Sequence, residues 1–148
     1  MRHRRLAHRF VEHIPEVLDP GVLYISVQYA TAAHSCCCGC GEEVVTPITP
    51  TDWNMTFDGE TISMWPSVGN WTLACRSHYV IDRGEVLRAE PWTDEEVDAE
   101  RRRAGAVRAR YYSGDRADDA PSPNAAQAAP SRTQEGRWRR AWRGFSTK

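Results

Sequence analysis

A chain of 148 residues with 41% hydrophobic side chains has material for one folded core, and its formal net charge of -1 excludes a strongly basic molecule built to hold nucleic acid or an acidic membrane. No apolar run approaches the roughly 20 residues a bilayer span requires, and Leu6, Phe10, Val11 and Ile14 are interrupted by His8, Arg9, Glu12 and His13, so neither a membrane span nor a secretory leader is expected. A cytoplasmic protein with reduced thiols is the expectation, and the five Cys, an odd number with four at positions 36, 37, 38 and 40, read as metal ligands rather than a disulfide framework.

In chain order, Ala7 to Ile14 predicts a first strand, ended by Pro15. Val22 to Tyr29, rich in β-branched and aromatic residues, predicts the central strand of a sheet. Glu43 to Ile48 predicts a short strand that Pro47 and Pro50 keep near an edge. Trp53 to Phe57 and Thr61 to Trp65 flank Asp58-Gly59, a turn dipeptide of tight hairpins. Trp71 to Ala74, His78 to Ile81 and Glu85 to Ala89 continue the strand pattern. Such short strands at regular spacing predict a mainly β fold, a small antiparallel barrel or sandwich with a zinc site.

Thr93-Asp-Glu-Glu96 fits a capping box, and a helix from 94 to 111 follows, its acids early and its Arg residues late, as the helix dipole favours. Its apolar stripe is thin, so most of it should face water. Residues 1–112 are thus expected to form a zinc-binding β-rich domain closed by this C-terminal helix. Residues 113–136, almost without large apolar side chains, read as a disordered linker. Residues 137–148 read as a basic aromatic tail, with Trp138, Trp142 and Phe145 spaced for one helical face and suited to docking on protein.

Two segments carry metal-ligand chemistry, His34-Ser-Cys-Cys-Cys-Gly-Cys-Gly41 and Cys75-Arg-Ser-His78. Thiolates and imidazoles from two segments are the usual set around tetrahedral Zn2+. Read as a knuckle, Cys37 and Cys40 would bind. Read as an extended strand, alternation puts His34, Cys36, Cys38 and Cys40 on one face and Cys37 in the core. In both readings Cys40, Cys75 and His78 are ligands. Surplus thiols and His34 beside such a site make catalysis conceivable, with Glu42 or Glu43 as general base or a free thiolate as nucleophile.

Val11-Glu-His-Ile-Pro15, Pro20 to Ser26, His34 to Pro47, Pro50-Thr-Asp-Trp53, Pro66-Ser-Val-Gly-Asn-Trp71 and Cys75-Arg-Ser-His-Tyr79 together resemble a bacterial family of small Cys/His metal-binding proteins associated with ubiquitin-like conjugation operons. The resemblance implies a metal-binding accessory protein of such a pathway, a zinc- or thiol-dependent peptidase that matures or removes the modifier. It implies the ubiquitin-like protein and its E1-like and E2-like enzymes as partners, with neither membrane nor nucleic acid expected. It also favours Cys36, Cys38 and Cys40 over Cys37; with the ligands and bases read from the residues themselves, the expected set is Cys36, Cys38, Cys40, Cys75 and His78 as metal ligands and His34 and Glu42 as candidate catalytic residues. The alternative is a non-catalytic zinc-stabilised binding module that recruits the modifier or its enzymes through Trp53, Trp65 and Trp71 or through the tail. No H-E-x-x-H metalloprotease signature is present.

Overall fold

The structure is a computed structural model and describes residues 1–114, so the linker and aromatic tail expected beyond them lie outside the described residues. Eight strands and one helix follow in the order β1 (Ala7–Phe10), β2 (Val22–Ser26), β3 (Thr31–Ser35), β4 (Glu43–Pro47), β5 (Asn54–Phe57), β6 (Ile62–Gly69), β7 (His78–Asp82), β8 (Glu85–Arg88) and α1 (Asp94–Tyr112). They make two four-stranded sheets, β1-β2-β3-β4 and β5-β6-β7-β8, with every pair antiparallel except β1-β2. This is a sandwich rather than a closed barrel. Leu23, Ile25 and Val44 of one sheet join Ile62, Met64, Val68, Tyr79 and Ile81 of the other in one buried cluster. The N-terminal segment ties the sheets together, since Arg5 bridges Glu85, Leu6 N–H donates to the Gly84 carbonyl and Val86 N–H to that of Arg4.

As expected, β2 lies inside its sheet, β4 at an edge, and the 54–69 segment forms a hairpin. Its connection spans four residues, 58–61, rather than the three between the expected strands, because the Asp58 carboxylate accepts from the Glu60 and Thr61 amides and the Thr61 hydroxyl, bonds that hold its carboxyl down at about 2. Four details differ from the sequence pattern. The second strand stops at Ser26 rather than Tyr29, because the chain turns back at 27–30, where Ala30 N–H bonds the Val27 carbonyl. The first strand stops at Phe10, where its parallel ladder with β2 ends. Thr31–Ser35 forms a strand despite two Ala residues, because both of its edges are paired and sheet context overrides propensity. Trp71 to Ala74 is no strand but a turn, in which Leu73 N–H bonds the Asn70 carbonyl and Arg76 N–H that of Leu73.

The capping box at α1 forms as expected, with Thr93 N–H donating to Glu96 Oε2 at 2.8 Å and Glu96 N–H to Thr93 Oγ1 at 3.3 Å. Only Val97 of the helix is buried. Arg108 reaches across to Asp52 at 2.9 Å, tethering the wet helix to the β4–β5 connection. Among the described residues no helix is long and apolar enough to cross a membrane.

Candidate active site and metal centre

β3 ends at Ser35 and delivers the Cys-rich segment into a tight turn, closed by Gly39 N–H on the Cys36 carbonyl at 2.9 Å and Cys36 N–H on the Glu42 carbonyl at 2.8 Å. Gly39 sits at φ +92°, a conformation that suits glycine, and the turn points Cys36, Cys38 and Cys40 to one spot. Cys75 reaches the same spot from the loop before β7. The four sulfurs lie within 4.8 Å of one another. Zn–S bonds of about 2.3 Å at tetrahedral angles separate sulfurs by about 3.8 Å. Cys36 Sγ lies 3.5 Å from Cys38 Sγ and 3.9 Å from Cys75 Sγ, so the donor set and spacing fit a tetrahedral thiolate site.

Surrounding donors are already aimed at the sulfurs. Cys40 N–H points to Cys38 Sγ at 3.3 Å, the Ser77 hydroxyl lies 3.2 Å from Cys36 Sγ and 3.5 Å from Cys75 Sγ, and Asn70 Nδ2 approaches Cys36 Sγ at 3.8 Å. Burial pushes Cys36 up, and burial together with the neighbouring Cys40, Cys36 and Cys75 sulfurs pushes Cys38 to about 12. Cys75 instead falls to about 7, the hydrogen bonds from Ser77, Cys38 and Cys40 outweighing desolvation. A bound dication would let all four ionise together.

The structure does not bring His78 into this group, contrary to the C-x-x-H reading. Both of its ring nitrogens are engaged elsewhere: Nε2 lies 2.8 Å from Ser67 Oγ and Nδ1 lies 2.5 Å from the Glu90 backbone carbonyl. That carbonyl can only accept, so Nδ1 carries the proton and Nε2 is left to accept from the Ser67 hydroxyl. Pairing explains the encounter. Gly69 stands opposite His78, and Ser67, two positions earlier on the same face, is its diagonal neighbour. Ser67 lies in an irregular stretch where the β6 register shifts between Met64 and Val68, the kind of bulge that re-aims a side chain. Trp71 and Trp92 pack against the His78 ring at 4.9 and 5.1 Å between centroids.

The other expected site residues fall as follows. His34 is fully buried, its Nε2 2.8 Å from the Tyr79 hydroxyl, and burial lowers its pKa to about 4, so it is neutral. Glu42 is exposed at the end of the Cys turn, where its backbone carbonyl, not its carboxylate, is seen at work. Cys37 is in the hydrophobic core, pushed up to about 12 by burial. Trp53 is packed against the core, Trp71 lies on His78, and Trp65 is 58% exposed. Sequence reasoning missed Ser67. It lies within Pro66-Ser-Val-Gly-Asn-Trp71, but only the Gly69–His78 pairing puts its hydroxyl on an imidazole.

A family model described as bacterial ubiquitination-like system serine protease (BubE) matches residues 10–89, more than half of the chain. The chain belongs to the BubE family. No curated protein and no solved structure matches it. The segment matched to BubE holds all four clustered thiols and both Ser67 and His78, whereas Glu90 and Trp92 lie just beyond it. The BubE description associates the family with a bacterial ubiquitination-like system, the same kind of pathway the sequence motifs resemble. The description calls the family a serine protease, and Ser67 is a serine whose hydroxyl meets an imidazole nitrogen.

Proposed function

We propose that this protein is a serine peptidase that cleaves after the C-terminus of a ubiquitin-like modifier, maturing a precursor or releasing a conjugate. One observation carries the reading: Ser67 Oγ lies 2.8 Å from His78 Nε2 while the Glu90 carbonyl fixes the opposite ring nitrogen. Ser67 Oγ attacks the scissile carbonyl as His78 Nε2 takes its proton. His78 returns that proton to the departing amine, leaving an ester on Ser67. Water, deprotonated by the same imidazole, then hydrolyses the ester and restores the Ser67 hydroxyl.

In this reading the metal is zinc and structural. Four protein thiolates from Cys36, Cys38, Cys40 and Cys75 leave no open position for water or substrate. Bound there, zinc supplies a cross-link between the β3–β4 turn and the loop preceding β7. His34 then acts as a buried strut on Tyr79, and Glu42 as a turn residue, instead of the acid–base roles their sequence positions suggested.

A fluorophosphonate probe and a modifier carrying a C-terminal extension test this directly. The parent protein should take up the probe and cleave the fusion, and Ser67→Ala should do neither while retaining its metal. Cleavage that survives Ser67→Ala would remove the proposal. The binding-module reading draws on the exposure of Trp65 at 58%. It predicts instead modifier binding that Trp65→Ala weakens, without probe labelling.

A further inference from the structure

The imidazole of a serine peptidase must stay aimed at the hydroxyl and must accommodate positive charge once it takes the proton. A buried carboxylate usually does both. Among the described residues no carboxylate is hydrogen-bonded to His78; its Nδ1 meets a neutral carbonyl, a weaker partner for an imidazolium than a carboxylate. Two indoles pack against the ring. Trp71 and Trp92 stack on each other at 5.6 Å and 14°, and each also packs on the His78 ring.

We propose that Trp71 and Trp92 are positioning residues, an aromatic clamp whose two stacked indoles lie together against the His78 ring and hold it on Ser67. The proposal rests on the Ser67–His78 reading above. Each half of the clamp is built by separate features. Trp71 lies over Gly69, the residue opposite His78, where any side chain would collide with the indole. Trp92 belongs to the segment between β8 and α1, which clasps His78 three times: Ala89 N–H donates to the His78 carbonyl at 2.9 Å, the Glu90 carbonyl takes Nδ1–H, and the Trp92 ring lies against the imidazole. That segment is pinned in turn by the Thr93–Glu96 capping box and by Arg76, whose guanidinium is 2.5 Å from Asp94. Indoles packed edge-on or tilted against an imidazole restrict its rotation.

The clamp predicts a kinetic split and a spectroscopic one. In the metal-loaded full chain, proton NMR should show the His78 Nδ1 proton as a slowly exchanging low-field signal. Trp92→Leu should lose that signal and lower kcat for fusion cleavage about ten- to a hundred-fold with KM unchanged, the scale of a catalytic group out of place by about an ångström. Trp92→Phe, which keeps an aromatic face, should restore both. Should Trp92→Leu fail to fold or lose metal, Trp92→Met fills the same space without a ring and is read instead. A retained signal, or an unchanged kcat, in the ringless variant overturns the clamp. Ser67→Ala keeps the two ideas apart: cleavage surviving it removes the peptidase reading, whereas the Nδ1 signal still reports whether Trp92 holds the ring.

Discussion

Gly69→Ala is a one-methyl change whose effect can be worked out from the structure. Gly69 is not in the left-handed backbone region, so alanine meets no backbone penalty and the whole effect is contact. A Cβ there would stand 2.5 Å from Trp71 Cε2, 2.8 Å from Cζ2 and closer still to Nε1. Relief to an ordinary carbon contact of about 3.5 Å needs the indole to move about 1 Å. Overpacking of this kind costs about 1–3 kcal/mol, which lowers Tm by several degrees in a domain of this size. The moving ring is the one packed 4.9 Å from His78, so kcat should fall more than stability alone requires, by about a hundred-fold. Steady-state cleavage of a modifier fusion, alongside thermal melts, checks both. Adding Trp71→Leu to Gly69→Ala should recover the melting temperature but not kcat, because the collision is gone and the clamp with it. Full kcat in Gly69→Ala would refute the coupling between the Gly69 face and the imidazole.

The cysteines should divide sharply by position. Cys36→Ala should abolish stoichiometric metal, whereas Cys37→Ala, which opens only a small core cavity at a cost of about 1 kcal/mol, should keep one metal per chain; mass spectrometry under native conditions distinguishes the two. The Asp52 tether should be pH-dependent. Desolvation raises its pKa, but the Thr49 hydroxyl and Arg108 outweigh that and hold it below its ordinary value. A depressed folded-state pKa stabilises above the unfolded value and loses that stabilisation as pH falls through the folded one. The stability gap between parent and Asp52→Asn should therefore be full at neutral pH and shrink below about pH 4, which urea melts across that range will show.

How much of this could be read from the sequence follows from how local each signal is. The Asp58 turn, the Thr93 capping box and the start of the Val22 strand depend on neighbours a few residues apart and were legible, although that strand ends at Ser26 rather than Tyr29. The Cys group was legible in composition, but alternation left the knuckle reading open; the preference for Cys36, Cys38 and Cys40 over Cys37 came from the family resemblance, and the segment folds as a turn rather than a strand. Its fourth member was harder. Cys75 and His78 share a short segment and both carry ligand atoms, but β7 begins at His78 and its ladder with β6 turns that imidazole toward Ser67 instead. Nothing local to Ser67 marks it as a nucleophile. Its role appears only when Gly69 is registered against His78, a pairing between residues nine positions apart that the misread turn at Trp71 to Ala74 concealed.

That same turn explains why a thiolate centre without an open position sits beside the candidate catalytic pair. Asn70 follows Gly69 at the end of β6, and Ser77 precedes His78 at the start of β7; Asn70 N–H donates to the Ser77 carbonyl at 2.9 Å. The Asn70 amide reaches the Ser77 hydroxyl at 2.9 Å, the Tyr79 hydroxyl at 3.3 Å and Cys36 Sγ at 3.8 Å. Asn70 is 8% exposed, so those donors have little access to water. Replacing it by Asp keeps the shape but removes the amide donors and adds a carboxylate beside sulfurs that must ionise to bind metal. Outer partners of this kind typically shift metal affinity ten- to a hundred-fold, and like charge at short range acts in the same direction. Asn70→Asp should therefore weaken metal binding by about that factor in chelator competition. With excess metal restored, kcat should recover in large part, since Ser67, His78, Trp71 and Trp92 are untouched. Unchanged chelator resistance would show that the amide does not support the thiolates. Weakened metal binding with kcat beyond rescue would show that Asn70 serves the Ser67–His78 pair by some route other than the metal.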